Sequence, residues 1–212
     1  MTDAALAADL REAIARGGDL LLHYLPEISF ATGRVVGMDA LARWSHPERG
    51  PIPPPQFVAL AEEIGQLGAL TEWVLKTAFR QCRVWRDDGY DLVVSVNLSP
   101  ANLEDERLPR LVVGQARALG VKPEWIRLEI PERAIAAAGD RIEWVAAALR
   151  AVNMCLVVDE VGSVAATSRA AIGRIGAGAI KFGRSAVSRV GEPAVADAMR
   201  ATIATAKGSG LL

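Results

Sequence analysis

The sequence predicts an α/β fold of the barrel type, a largely parallel sheet covered by helices, and three observations carry that prediction. Strand-like apolar runs alternate with stretches of helical periodicity. The runs are continuously apolar, as strands buried on both faces are. Each run is also interrupted or closed by a polar side chain, the pattern of strands whose carboxyl ends build a site. At 212 residues the chain has room for one sizeable domain, and a single domain over 1–212 is expected.

The elements follow in order. Residues 2–16 predict an amphipathic helix with Leu6, Leu10 and Ile14 on one stripe, stopped by Gly17-Gly18, so that 1–18 is an N-terminal helical segment. Residues 20–29 (LLLHYLPEIS) are a strand, and Ala31-Thr32-Gly33 turns the chain into a second strand over 35–44 (VVGMDALARW). So short a connection predicts an antiparallel first pair. Residues 46–55, with Pro47, Pro51 and three consecutive prolines, are expected to be a loop. Helical spacing returns at Phe57, Leu60, Ala61 and Ile64, and again over 69–85 with Leu70, Val74, Ala78, Cys82 and Trp85 on one face.

A strand at 92–98 precedes a helix marked by Leu108, Leu111, Val112 and Leu119, then a strand at 126–130 and a helix that opens on the capping pattern Asp140-x-x-Glu143. A strand at 155–158, a short helix at 165–172, a strand at 179–182 and a last helix at 194–206 complete the chain. Six strands are predicted, two short of a full (β/α)8 barrel.

Composition removes several classes of function. The chain is 51% hydrophobic and 23% charged, with a net charge of −1 and a pI near 6.2, so it has no global field for a nucleic-acid backbone or an anionic membrane. Arg107, Arg110, Arg117, Arg127 and Arg133 alternate with acids and lack a row of stacking aromatics, which argues further against nucleic acid. No apolar run reaches the ~18 residues of a membrane span and the N-terminus is polar, so a cytoplasmic protein or fragment is expected. Cys82 and Cys155 lack metal-type spacing and read as reduced core thiols. Trp44, Trp73, Trp85, Trp125 and Trp144 read as core or helix-packing side chains, and His23 and His46 as ordinary strand and loop histidines.

The polar interruptions are the informative residues. Asp39 interrupts the second strand, Asn97 closes VVSVN, Glu129 closes IRLE, Asp159 and Glu160 close LVVDE, and Lys181 closes AIK. A buried carboxylate is costly unless a cation or hydrogen bond meets it. Carboxylates with one amide oxygen are hard ligands that suit Mg²⁺, Mn²⁺ or Ca²⁺ and not zinc. Beside a lysine, such a cation suits phosphodiester hydrolysis, since it binds phosphate oxygens and generates hydroxide from water. Each residue has a plainer reading: Asn97 as a turn or cap, Asp159 or Glu160 as a helix N-cap or first-turn acid, Lys181 as a solvated strand end, and Glu129 and Glu132 as exposed flanks of Pro131.

In order and spacing, VVGMDALARWSHPERG, VSVNLS, RLEIPE, VVDEVG and IKFGRS resemble the EAL domain of bacterial cyclic-di-GMP phosphodiesterases, over nearly the whole chain from Leu20. The resemblance implies a modified (β/α)8 barrel with its first strand antiparallel, and Mg²⁺ or Mn²⁺ ions that hold a phosphate of cyclic-di-GMP and the water that opens it to the linear dinucleotide. It assigns metal binding to Asp39, Asn97, Glu129, Asp159 and Glu160, and catalysis to Asp39, Glu160 and Lys181. Ala40, Leu41 and Arg43 complete the signature stretch and fall on the substrate side, the arginine as a phosphate contact.

The departures cluster at the chemistry. Asp39 stands for a glutamate and Glu160 for an aspartate; each change moves a carboxylate by more than ~1 Å, against a tolerance of ~0.5 Å. Leu25 stands for a glutamine, Gly183 for an aspartate, and VGSVAATSRA for a Phe-Gly and Thr-Gly-Tyr-Ser-Ser-like loop of which Gly162 survives. A further strand-end glutamate and a final glutamine-bearing strand have no counterpart before Leu212, which predicts open edges beside the first strand and beside 179–182. The expectation is a degenerate EAL domain that does not hydrolyse cyclic-di-GMP and acts as its receptor, as a protein-interaction module, or as both, with a protein partner or homodimer. The alternatives are an active phosphodiesterase with adjusted ligands and a nucleotide-independent scaffold.

Overall fold

The first two strands form the longest pairing in the protein. β1 (Leu20–Ile28) and β2 (Val35–His46) run antiparallel from Leu20 opposite Trp44 to Glu27 opposite Gly37, with an irregularity at Glu27/Ile28. The turn between them closes through the Gly33 amide on the Ser29 carbonyl at 2.8 Å, with Gly33 at a φ of 66° that favours glycine. The structure, a computed structural model, describes residues 4–161 and 165–208, the side chains of 165–169 excepted.

The chain forms two compact units: one runs to Val96 and includes Leu111–Trp125, the other comprises Asn97–Arg110 and the chain from Ile126. In the first unit α1 (Ala4–Arg16) buries Leu6, Leu10 and Ile14, the stripe read from the sequence. The loop expected at 46–55 instead contains a short strand, β3 (Gly50–Ile52), antiparallel to β2. Proline is tolerated there because the strand has a single partner among the described residues. α2 (Pro54–Glu63) opens on a proline turn, and α3 (Leu67–Asp87) buries Leu70, Leu75, Ala78, Phe79 and Cys82. Trp44 is fully buried against Phe57, edge to face at 6.2 Å. β4 (Val93–Asn97) runs parallel to β2, with Ser95 opposite Asp39.

Past Asn97 the cap belongs to Ser99, whose side chain exchanges hydrogen bonds with Asn102 at the start of a single-turn 3-10 helix over Pro100–Glu104. α4 (Leu108–Ala118) contains the boundary between the units.

In the second unit β5 (Ile126–Pro131) leads directly into a helix that the sequence did not announce, α5 (Glu132–Ala137), so Glu132 is buried at a helix start and not exposed. α6 (Arg141–Arg150) follows, but the predicted capping box is not formed: Asp140 is itself helical and makes no side-chain cap bond. Trp144 on this helix is exposed, contrary to its reading as a packing residue. β6 (Cys155–Val161), α7 (Ala165–Ile175), β7 (Ala179–Phe182), α8 (Arg184–Val187) and α9 (Pro193–Gly208) complete the order. β5, β6 and β7 are parallel neighbours. Seven strands are described where six were predicted, the addition being β3; β1 pairs only with β2 and β7 only with β6 among the described residues.

Candidate functional site

Each unit assembles its own part of the predicted constellation. In the first, Asp39 projects from β2 on the face that also carries Gly37, since residues two apart share a face. Glu27 stands opposite Gly37 in the antiparallel register, on that same face, and the Glu27 and Asp39 carboxylates present oxygens within 4.8 Å of each other. The Ser95 hydroxyl, fully buried on β4, donates to Glu27 Oε1 at 3.1 Å. Glu27 was not singled out in the sequence. The available signal was the one that exposed Asp39, an acid inside an apolar run, and it was masked by the adjacent Pro26. Ala40 is buried, Leu41 and Arg43 are half-buried, and Arg43 donates to the Ala42 carbonyl at 2.8 Å. Leu25, opposite Asp39, is 56% exposed.

In the second unit the deepest polar side chain is Glu129, only 1% exposed. Lys181 Nζ donates to both of its carboxylate oxygens, at 2.9 and 3.1 Å, so the residue is neither an exposed flank of Pro131 nor isolated. The adjoining Leu98 amide donates to the Glu129 carbonyl at 2.9 Å, which brings Asn97, itself exposed, beside the same strand.

Asp159 and Glu160 do not close β6, because the strand continues to Val161 through an irregularity. Val158 pairs with Ile180 and Val161 with Phe182, so β6 holds one residue more than β7 across that interval, a bulge. Glu160 occupies it with a φ of 56°, unusual for a non-glycine residue. Asp159 Oδ1 accepts from the Glu160 amide at 2.7 Å. The Glu160 carboxylate is ion-paired with Arg133 of α5, an interaction at the surface with both side chains substantially exposed. Gly183 lies against the bulge: a Cβ there would stand 3.3 Å from Glu160 Cα. The departures at Glu160 and Gly183 are thus one local arrangement. Gly162, the surviving residue of the following loop, lies outside the described residues.

The donors are carboxylate and amide oxygens, which fit a hard divalent cation and not a soft one. Both cysteines are free, and burial pushes the Cys82 thiol up to about 11 and that of Cys155 upward, so neither is a ready metal ligand. Among the described residues no helix is long and apolar enough to cross a membrane.

The model of the EAL domain family matches residues 7–212. The chain belongs to the EAL domain family. Among curated relatives of this EAL domain, an uncharacterized signaling protein of Caulobacter vibrioides is 43% identical over 130 residues, 61% of this chain and 16% of that protein. The bifunctional diguanylate cyclase/cyclic di-GMP phosphodiesterase MucR of Pseudomonas aeruginosa is 35% identical over 159 residues, 74% of this chain and 23% of that protein. The chain therefore spans less than a quarter of these two relatives. Among solved structures, the PaMucR phosphodiesterase in complex with c-di-GMP superposes with a TM-score of 0.86 at 30% identity, over 98% of this chain and 84% of that one. The EAL domain of Xanthomonas citri FimX in complex with c-diGMP superposes with a TM-score of 0.86 over 99% of this chain and 81% of that one, and at 21% identity supports the fold alone. The fold class read from the sequence is that of these domains.

Proposed function

We propose that this EAL domain is a cyclic-di-GMP receptor that hydrolyses its ligand slowly or not at all. The observation that carries the reading is Glu160, whose carboxylate is taken by Arg133 and whose backbone is left-handed in a bulge against Gly183. A catalytic carboxylate must sit within about 0.5 Å of its productive position, and this one is longer than the family's aspartate and already engaged. Support for the ligand comes from the 30% identical PaMucR phosphodiesterase, solved as a c-di-GMP complex.

On this reading Asp39, Asn97, Glu129 and Asp159 hold Mg²⁺ or Mn²⁺, while Leu41 and Arg43, on the Asp39 face of β2, lie on the dinucleotide side and the buried Ala40 packs on the other face. A bound cation would neutralise a phosphate and acidify a water. Lys181 holds the buried Glu129 carboxylate in one orientation through two charge-assisted hydrogen bonds. The response would pass to a protein partner or a second copy of the chain, and the two free cysteines support a reducing, cytoplasmic setting.

A second reading, an active phosphodiesterase, is favoured by the intact Lys181–Glu129 contact. Calorimetric titration with cyclic-di-GMP in Mg²⁺ or Ca²⁺, paired with assay of the linear product, separates the two. Binding without turnover is expected. Turnover abolished by Glu129→Ala would establish the enzyme, and absence of binding would leave the scaffold alternative.

A further inference from the structure

The shortened acid of the signature stretch, Asp39, is not alone on its face of the hairpin. We propose that Glu27 is an additional carboxylate ligand of the divalent cation and makes up for the methylene missing from Asp39; this inference rests on the metal-binding part of the function proposed above.

Three features place Glu27 in that role. Its register opposite Gly37 puts it on the Asp39 face, one residue pair along, with carboxylate oxygens within 4.8 Å of those of Asp39. Two oxygens that share one Mg²⁺ at about 2.1 Å stand no more than about 4.2 Å apart, so side-chain rotation within a rotamer well covers the difference. Next, the space for the Glu27 carboxylate exists because residue 37 is glycine. A Cβ at Gly37 would come within 2.9 Å of Glu27 Oε2 and within 2.9 Å of Val93 Cγ2, closer than carbon atoms approach either. Gly37 has an ordinary backbone conformation, so the glycine serves space and not chain reversal. Finally, Ser95, with no solvent exposure, donates to Oε1 at 3.1 Å and so orients the carboxylate on the shared face.

The chemistry agrees. Two carboxylates with oxygens within 4.8 Å repel each other, and a cation between them replaces that repulsion by attraction. Glu27 carries one methylene more than Asp39, so a ligand lost in length on β2 is recovered from β1, across a pairing that fixes both.

The test follows Mn²⁺ binding to the nucleotide-free protein by the electron paramagnetic resonance of free Mn²⁺. Wild type, Glu27→Gln, Asp39→Asn, Gly37→Ala and the double variant Glu27→Gln/Asp39→Glu are compared, with thermal melts to verify folding. Glu27→Gln is expected to weaken Mn²⁺ at least tenfold, and Gly37→Ala, which keeps the charge and displaces the carboxylate, to weaken it as well. Asp39→Glu is expected to restore affinity to within threefold of wild type in the Glu27→Gln background. Mn²⁺ affinity within twofold of wild type in Glu27→Gln and Gly37→Ala, with binding lost in Asp39→Asn, overturns the role of Glu27 and leaves the metal reading standing. Failure of wild type to bind Mn²⁺ overturns the metal reading, and this inference with it.

Discussion

Lys181 Nζ bridges both oxygens of the Glu129 carboxylate at 2.9 and 3.1 Å, and Glu129 is almost wholly withdrawn from water. A buried ion pair contributes little relative to an apolar pair, but removal of one partner strands a charge. Lys181→Met is therefore expected to destabilise the protein by about 3 kcal/mol, and Glu129→Gln/Lys181→Met to recover most of that loss. Urea unfolding of the four proteins measures the cycle. Additive losses in the double variant would refute the pairing as the source of the effect.

The Arg133–Glu160 pair predicts the opposite balance. Both side chains are exposed, so Arg133→Ala should change stability by less than about 1 kcal/mol. Its effect belongs to function: release of the Glu160 carboxylate, combined with Glu160→Asp, is expected to raise Mn²⁺-dependent formation of the linear dinucleotide above the wild-type level. Product chromatography after incubation with cyclic-di-GMP reads it, and no gain over wild type would count against Arg133 as the restraint.

His46 is buried, and its Nδ1 accepts from the Glu48 and Arg49 amides at 3.1 and 3.2 Å, so Nε2 carries the hydrogen and donates to Asp9 Oδ2 at 3.0 Å. Nitrogen NMR is expected to show the Nε2–H tautomer. His46→Ala leaves two amides without their acceptor and removes a ring packed beside Trp44 at 5.4 Å, a loss of about 2–3 kcal/mol. A Nδ1–H signal would contradict the assignment.

Burial raises the Cys82 thiol from its ordinary 9.0 to about 11, and the nearby Tyr24 hydroxyl from 10.0 to about 12, burial again first and the Cys82 charge second. For both, the folded state holds the neutral form. Their contribution to stability is complete below pH 9 and is lost as pH rises through 9 to 12. Unfolding midpoints measured between pH 8 and 11 should fall less steeply in Cys82→Ala than in wild type. Equal slopes would refute the linkage.

The elements were legible where burial alone decides them. Residues 126–130 are a strand in the sequence and in the structure because Ile126, Leu128 and Ile130 are fully buried along a short apolar run. Gly50–Ile52 was missed because a proline beside a glycine reads as a turn, and only the neighbouring β2 makes it an edge strand. Asp140 offered a capping pattern that its helical backbone does not permit. At the candidate site, the positions of Asp39, Glu129 and Lys181 were readable as acids and a lysine inside apolar strands, yet Glu27 was not, since its partner Gly37 lies across a register that the sequence does not print. The bulge at Glu160 was hidden for the same reason: an extra residue exists only relative to β7.

Gly183 against the Glu160 bulge ties the two positions together. A side chain at 183 would press on Glu160 Cα from 3.3 Å, so Gly183→Asp requires the bulge to give by a few tenths of an ångström. The Arg133 ion pair on the Glu160 carboxylate lies at the surface beside that bulge. Substitutions at 160 and 183 are therefore expected to be non-additive, because the two positions share one contact.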